Sequence, residues 1–147
     1  MTKNKTSKLR KVSFPKSKIV GKRNWGKEIL LALVEKKFSL KLLVMKKGSM
    51  GGLQYHHKKN ECGYILSGKL QVRYDDGKGK LKKKILKPGG IFHFPPKAVH
   101  QELALTNCKI IEVSTPYFND RVRVEEKYGL EINGGLPTTN FKDVLHK

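Results

Sequence analysis

A chain of 147 residues with 32 Lys and Arg against 12 Asp and Glu has a formal net charge of +20. Its length suits one domain with a core of its own. The longest apolar run, Ile29–Val34, is too short to span a bilayer, and two cysteines, Cys62 and Cys108, argue against a disulfide framework. Residues 1–24 hold no secretory signal, so a soluble cytoplasmic protein is expected. Lysine outnumbers arginine 27 to 5 and is scattered, whereas nucleic-acid readers lean on arginine forks and aromatic stacking. The expected partner is a small anionic molecule such as a sugar phosphate, rather than nucleic acid or a membrane.

Residues 1–22 read as a basic, partly disordered arm with Val12 and Phe14-Pro15 as anchor points, or as a tail pairing with a neighbouring subunit. From Trp25 the texture turns strand-like. Short runs rich in Val, Ile, Leu, Tyr and Phe predict strands at Ile29–Val34, Ser39–Lys46, Leu53–Lys58, Gly63–Ser67 and Lys69–Tyr74. Others follow at Leu81–Leu86, Ile91–Phe94, Gln101–Leu105 and Lys109–Ser114. Asp75-Asp76-Gly77-Lys78-Gly79 predicts a hairpin, and Pro88-Gly89-Gly90 and Pro95-Pro96 predict further turns. No helical period persists between 25 and 115, so the pattern implies an all-β sandwich or barrel. After Pro116, Asp120–Tyr128 reads as a short helix or an extended excursion, and Thr139–Lys147 as one helical turn capped by Asn140. The expected division is an arm at 1–22, a barrel at 23–116 and a C-terminal extension at 117–147.

Gln54 and His56 alternate along a strand, and a period of two puts both on one face. Glu61 can return to that face after a turn at Lys58–Asn60, and His100 lies just past the Pro-Pro turn. Two imidazoles, a carboxylate and an amide oxygen make a divalent-metal site with positions left open for water or substrate. The same parity turns Tyr55 and His57 away and returns Lys58 to the ligand side. Gly63 shares a face with Glu61, where it leaves space beside the metal or marks a bulge. Arg73 shares a face with Gln71, opposite Leu70, Val72 and Tyr74; inward it would bind a phosphate or carboxylate, outward it would be solvated. His93, alternating with Phe92 and Phe94, reads as structural. Glu112 reads as a general base near the metal or as an edge residue pairing with lysine. Glu112, Arg73 and Lys58 are the catalytic candidates.

Written with spacing, the two segments are Gly48-x5-Gln54-x-His56-x4-Glu61-x6-Gly68 and Gly89-x5-Pro95-x-Lys97-x2-His100. They resemble the two signature motifs of the cupin superfamily. The resemblance implies an all-β double-stranded β-helix, or jelly-roll barrel, with a short irregular or helical C-terminal segment. It also implies a divalent metal near the barrel centre on Gln54, His56, Glu61 and His100. Gln54 stands where the first histidine usually lies, and Lys97 and Ala104 stand for the second motif's glycine and asparagine. A Gln-x-His…Glu…His set is similar to phosphomannose isomerases, in which it holds zinc.

A narrower resemblance runs from about 23 to 129, to the cupin domain of type II mannose-6-phosphate isomerases. It rests on Arg23-Asn24-Trp25-Gly26, Leu53-Gln54-Tyr55-His56-His57, Ser67-Gly68, Glu112-Val113-Ser114-Thr115-Pro116 and the stretch Arg121 to Gly129. Asn24, Lys58 and Leu130 depart from that pattern. The resemblance implies a sugar-phosphate isomerase with zinc, or alternatively iron, manganese or nickel. A homodimer is expected, with sheet edges covered by the partner or the arm. Oxygen-dependent or lyase chemistry on a small acid, and non-catalytic binding of a small molecule, are the other readings, since fold does not fix function.

Overall fold

Along Phe38–Met45 every second residue from Ser39 to Met45 is buried, the period of a strand with one face inward. The computed structural model describes residues 10–124. Within them lie β1 (Lys18–Arg23), β2 (Gly26–Val34), β3 (Phe38–Met45), β4 (Gln54–His56), β5 (Glu61–Ser67) and β6 (Leu70–Asp75). These are followed by β7 (Leu81–Leu86), β8 (Ile91–Phe94), β9 (His100–Ala104), β10 (Cys108–Ser114) and β11 (Arg121–Arg123). They form two antiparallel sheets, one in the order β1-β2-β3-β10-β5-β8 and the other β11-β4-β9-β6-β7. No helix occurs among the described residues, and none is long and apolar enough to cross a membrane. This is the expected all-β jelly roll.

All nine predicted runs are strands, and Leu81–Leu86 and Ile91–Phe94 keep their predicted bounds. The predicted hairpin joins β6 to β7, with Asp75 Oδ1 accepting from the amides of Gly77 at 2.6 Å and Gly79 at 3.2 Å. Two segments contribute more than their texture promised. Lys18–Arg23, which lies in the expected arm except for its last residue, pairs with β2, while residues 10–17 are exposed without regular structure. Arg121–Arg123, inside the expected extension, is a strand paired with β4, the extended one of the two forms expected there. The helical turn expected at 139–147 lies outside the described residues.

The interior divides into two halves at one level of the register. Toward one end the inward residues are apolar: Leu43, Met45, Ile65, Leu70, Val72 and Ile110 pack with Phe92 and Phe94. Toward the other they are polar. Lys41 stands opposite Glu112 and Glu112 opposite Gly63, while one step along Leu43 stands opposite Ile110 and Ile110 opposite Ile65. The apolar half drives the sheets together by removing apolar surface from water. The polar half then becomes a walled cavity rather than a packed core.

Gly63 overturns both readings given to it. A Cβ at this position would lie 2.0 Å from Cζ of Phe92, the residue directly across the β5–β8 pair. The glycine makes room for the Phe92 ring, neither opening space beside a metal nor marking a bulge. Gly63→Ala must displace that ring, and overpacking of this kind costs about 1–3 kcal/mol. A lowered urea midpoint with an unchanged m-value is the expected outcome; an unshifted midpoint contradicts the packing argument.

Candidate metal centre

Three strands from both sheets bring the predicted ligands together. Gln54 on β4 stands opposite His100 on β9, and Glu61 opens β5 on the facing sheet. His100 Nε2 lies 3.3 Å and His56 Nε2 3.7 Å from Glu61 Oε1, and one ligand atom from each residue falls within 4.8 Å of the others. Both histidines are anchored through their other nitrogen. His56 Nδ1 donates to Asp120 Oδ1 at 3.0 Å and His100 Nδ1 to the Ala98 carbonyl at 2.9 Å. Fixing Nδ1–H in this way leaves each Nε2 lone pair turned toward the cluster, the tautomer that a metal requires. The turn that delivers His100 contains Lys97 at φ +67, with its amide donating to the His56 carbonyl at 2.6 Å. That left-handed conformation is the physical reason for a glycine at this point of the motif.

Gln54 Oε1 is buried without a hydrogen-bond partner and lines the same cavity as the other three residues. A buried amide oxygen normally finds a donor, and an unsatisfied one is costly. Together with two imidazole nitrogens and a carboxylate, it completes a donor set of the kind divalent metals accept. The residues present fit the metal.

Charge is arranged as tightly as the ligands. Lys59 is buried, and its Nζ donates to Glu61 Oε2 and to Glu112 Oε1, the latter at 3.0 Å. Burial disfavours its charge, but the Glu112 and Glu61 carboxylates overcome this and hold the ammonium well above the usual lysine range. Glu61 is opposed by burial too, yet Lys59 and the two histidines hold it well below the usual carboxylate range. Burial pushes His56 down to about 4, helped by Lys59. His100 moves the other way: the hydrogen bond and charge of Glu61 outweigh burial and raise it.

The cluster forms one wall of a cavity of about 630 Å³. Arg23, Lys41, Arg121 and Arg123 line it as well, with Glu28 among them accepting from Lys41 at 3.0 Å and Arg23 at 3.4 Å. Arg121 and Arg123 stand directly opposite His56 and Gln54 across the β4–β11 pair. Burial, together with Arg123 and Arg23, lowers the pKa of Arg121. Glu102 also lines the cavity, with Oε1 buried and unpartnered, and burial pushes its carboxyl up to about 7.

The three catalytic candidates meet different fates. Glu112 does pair with a lysine, but inside the cavity and on a central strand rather than at an edge. Lys58 is exposed, with its amine 5.9 Å from the Tyr117 ring, outside the cavity. The chain bends at residues 57–58, so strand parity lapses and Lys59 takes the inward place. Arg73 lies on the outer face of β6, donating to Gln101 Oε1 at 2.8 Å, and does not line the cavity. His57 and His93 are exposed, as parity predicts. Asp120, Lys59 and the β11 arginines were missed. The signal available for β11 was the alternation of Arg121, Val122 and Arg123, which the charge of the segment obscured.

Removing the group that orients His56 tests this arrangement. Asp120→Ala is expected to weaken zinc affinity roughly 10–100-fold in a chelator competition, the usual cost of losing an orienting partner, whereas Lys58→Ala leaves it unchanged. Equal effects of the two substitutions contradict the assignment. Protons compete with the metal for both imidazoles, so affinity falls as pH falls. Because His100 is raised, the fall begins at higher pH than for an ordinary histidine. Zinc titrations across a pH series check the sign; affinity that is flat or rises on acidification contradicts it.

No curated protein matches the sequence. Solved structures match its fold. KdgF from Halomonas sp. aligns with a TM-score of 0.52 at 21% identity, over 60% of this chain and 77% of that one. CapF, solved with the inhibitor 3-isopropenyl-tropolone, gives 0.61 at 20% identity, over 82% and 36%. Oxalate decarboxylase from Bacillus subtilis gives 0.64 at 16% identity, over 78% and 33%. The matched region thus spans about a third of the length of the last two. At such identities the likeness is one of fold. The cupin domain itself matches residues 41–114, half of the chain and a span that includes all four clustered residues. The chain belongs to the cupin family.

Proposed function

We propose that this cupin holds a divalent metal, zinc in the first instance, on Gln54, His56, Glu61 and His100. We read it as an enzyme that acts on an anionic sugar or sugar phosphate in the manner of a mannose-6-phosphate isomerase. The observation that carries this reading is the placing of Arg121 and Arg123 directly across from two of the ligand positions. Directly opposed residues in an antiparallel pair share a face. A molecule with an oxygen at the metal and an anionic group among the guanidiniums therefore fits the cavity at both ends. Guanidinium forks suit phosphate and carboxylate.

A bound metal would polarise a carbonyl or hydroxyl oxygen of the substrate. Isomerisation also needs a base to carry a proton between neighbouring carbons. Three carboxylates face the cavity outside the ligand set, and Glu28 among them accepts from Lys41 and Arg23. Glu112 is tied to Lys59, whereas Glu102 Oε1 has no partner, so Glu102 takes the proton and Glu112 positions Lys59. Lys59 in turn keeps Glu61 anionic and aimed.

A second reading, lyase or oxygen-dependent chemistry on a small carboxylic acid, is favoured by the likeness in fold to oxalate decarboxylase. The same arginines would hold the acid. Metal content and turnover separate the two. The isomerase reading expects zinc in the isolated protein and interconversion of mannose-6-phosphate and fructose-6-phosphate. Glu102→Gln should then lower kcat at least ~100-fold with metal content kept. Arg123→Ala should raise KM more than it lowers kcat. Iron with oxygen consumption, or carbon dioxide release from a small acid, overturns it in favour of the second reading. Ligand binding without any turnover overturns both.

A further inference from the structure

A straight row of apolar side chains crosses the outer face of the six-stranded sheet from edge to edge. Ile19 stands opposite Ile29, Ile29 opposite Leu42, Leu42 opposite Ile111, Ile111 opposite Tyr64, and Tyr64 opposite Ile91. Opposed residues share a face. Their chain neighbours Glu28, Lys41, Ile110 and Ile65 are buried inside the barrel, so the row faces outward. Leu40, Val113 and Cys62 make a second row beside it, and Leu66 continues the patch on the other side. Ile91 is 68% exposed, Leu66 50%, Ile19 49% and Tyr64 44%.

Neither row contains any of the chain's 27 lysines; Lys27 and Lys109 stand only at the border of the patch. The other sheet differs, with Lys82, Lys83 and Lys84 consecutive and exposed on β7. We infer that the apolar face is the contact surface of a symmetric homodimer.

Charge selects the occupant. An acidic partner would be recognised by a basic surface, and the middle of this face offers no cation. Two copies that each carry +20 repel one another, and they can meet where their own charges are absent. Size agrees. Six strands about 4.8 Å apart and rows about 7 Å apart give an apolar footprint of roughly 24 by 14 Å. A standard interface takes roughly 800 Å² from each partner, with an apolar centre and a polar rim. The footprint supplies the centre, and Lys27, Lys109 and His93 border it. A straight row is also self-complementary under a two-fold axis lying in the plane of the contact, parallel to the sheet, which brings the row of one copy onto the row of the other as an isologous contact requires.

Sedimentation velocity on the full chain tests this. The wild type is expected to dimerise, and more tightly as salt rises, because screening shortens the Debye length from about 30 Å at 0.01 M to about 10 Å at 0.1 M. A double change of Tyr64→Lys and Ile91→Lys should weaken dimerisation at least ~30-fold, the loss expected at the centre of an interface. Ile85→Lys, on β7 of the other sheet, should leave it intact. Without any substitution, alkylation of half-buried Cys62 should slow as protein concentration enters the dimer range, while buried Cys108 serves as the internal reference. A monomeric wild type, self-association that weakens with salt, a dimer broken by Ile85→Lys, or Cys62 labelling independent of concentration overturns the inference. A monomer in which Cys62 is nevertheless protected would assign the face to another part of the chain itself, and overturns it equally.

Discussion

The buried ammonium of Lys59, held between Glu61 and Glu112, is the interaction on which the candidate site depends. Removing ions from water costs several kcal/mol each, and only close, fully hydrogen-bonded partners offset it. Lys59 meets that condition with two carboxylates from two strands. Its inward turn is made by the bend after β4, which Asp120 holds by accepting from the amides of Lys58 at 2.6 Å and Lys59 at 2.7 Å. The other oxygen of Asp120 fixes His56. One carboxylate therefore sets the direction of an imidazole and the path of the loop that delivers the lysine. Ligand orientation and charge neutralisation are a single construction.

The apolar half of the barrel reaches into this construction through stacked rings. Phe92 stacks on Phe94 at 4.4 Å between centroids, and Phe94 on His100 at 4.0 Å with 14° between planes. His100 is thus clamped by a ring face on one side and by the Ala98 carbonyl at Nδ1. The stack begins over Gly63, whose missing side chain admits Phe92. Close packing transmits small displacements. A shift at Gly63 is therefore felt at a ligand two rings away, although Gly63 touches no polar atom of the cluster.

These relations explain what was legible in the sequence. The strands were visible because each carries its own period, and the four clustered residues because alternation holds within β4 and the motif spacing is strict. Parity failed one step beyond the strand: residues 57–58 bend, and Lys59 rather than Lys58 turns inward. Arg73 was ambiguous because alternation separates two faces without naming the inner one; Leu70 and Val72, in the core, decide it. Gly63 was misread because its reason, Phe92, lies 29 residues away across a strand pair. Asp120 and the β11 arginines depend on a pairing with β4 that no local signal encodes. What is short-range was readable; what rests on strand neighbours was not.

Metal ligation and anion recognition are assigned to different strands in the proposed reading. The four ligand positions belong to β4, β5 and β9, all inside the span matched by the cupin domain. The arginines come from β1 and β11, which are edge strands of their sheets among the described residues and lie outside that span. Edge strands tolerate change because only one neighbour constrains their register. Substitutions there can alter which anion is held without disturbing the ligands, whereas changes on β4, β5 or β9 strike the metal first. The likeness to KdgF, CapF and oxalate decarboxylase, at 21% identity or less, is one of fold and does not specify the chemistry of the cavity. In the proposed reading, the residues that decide which anion the cavity takes are therefore to be sought on β1 and β11.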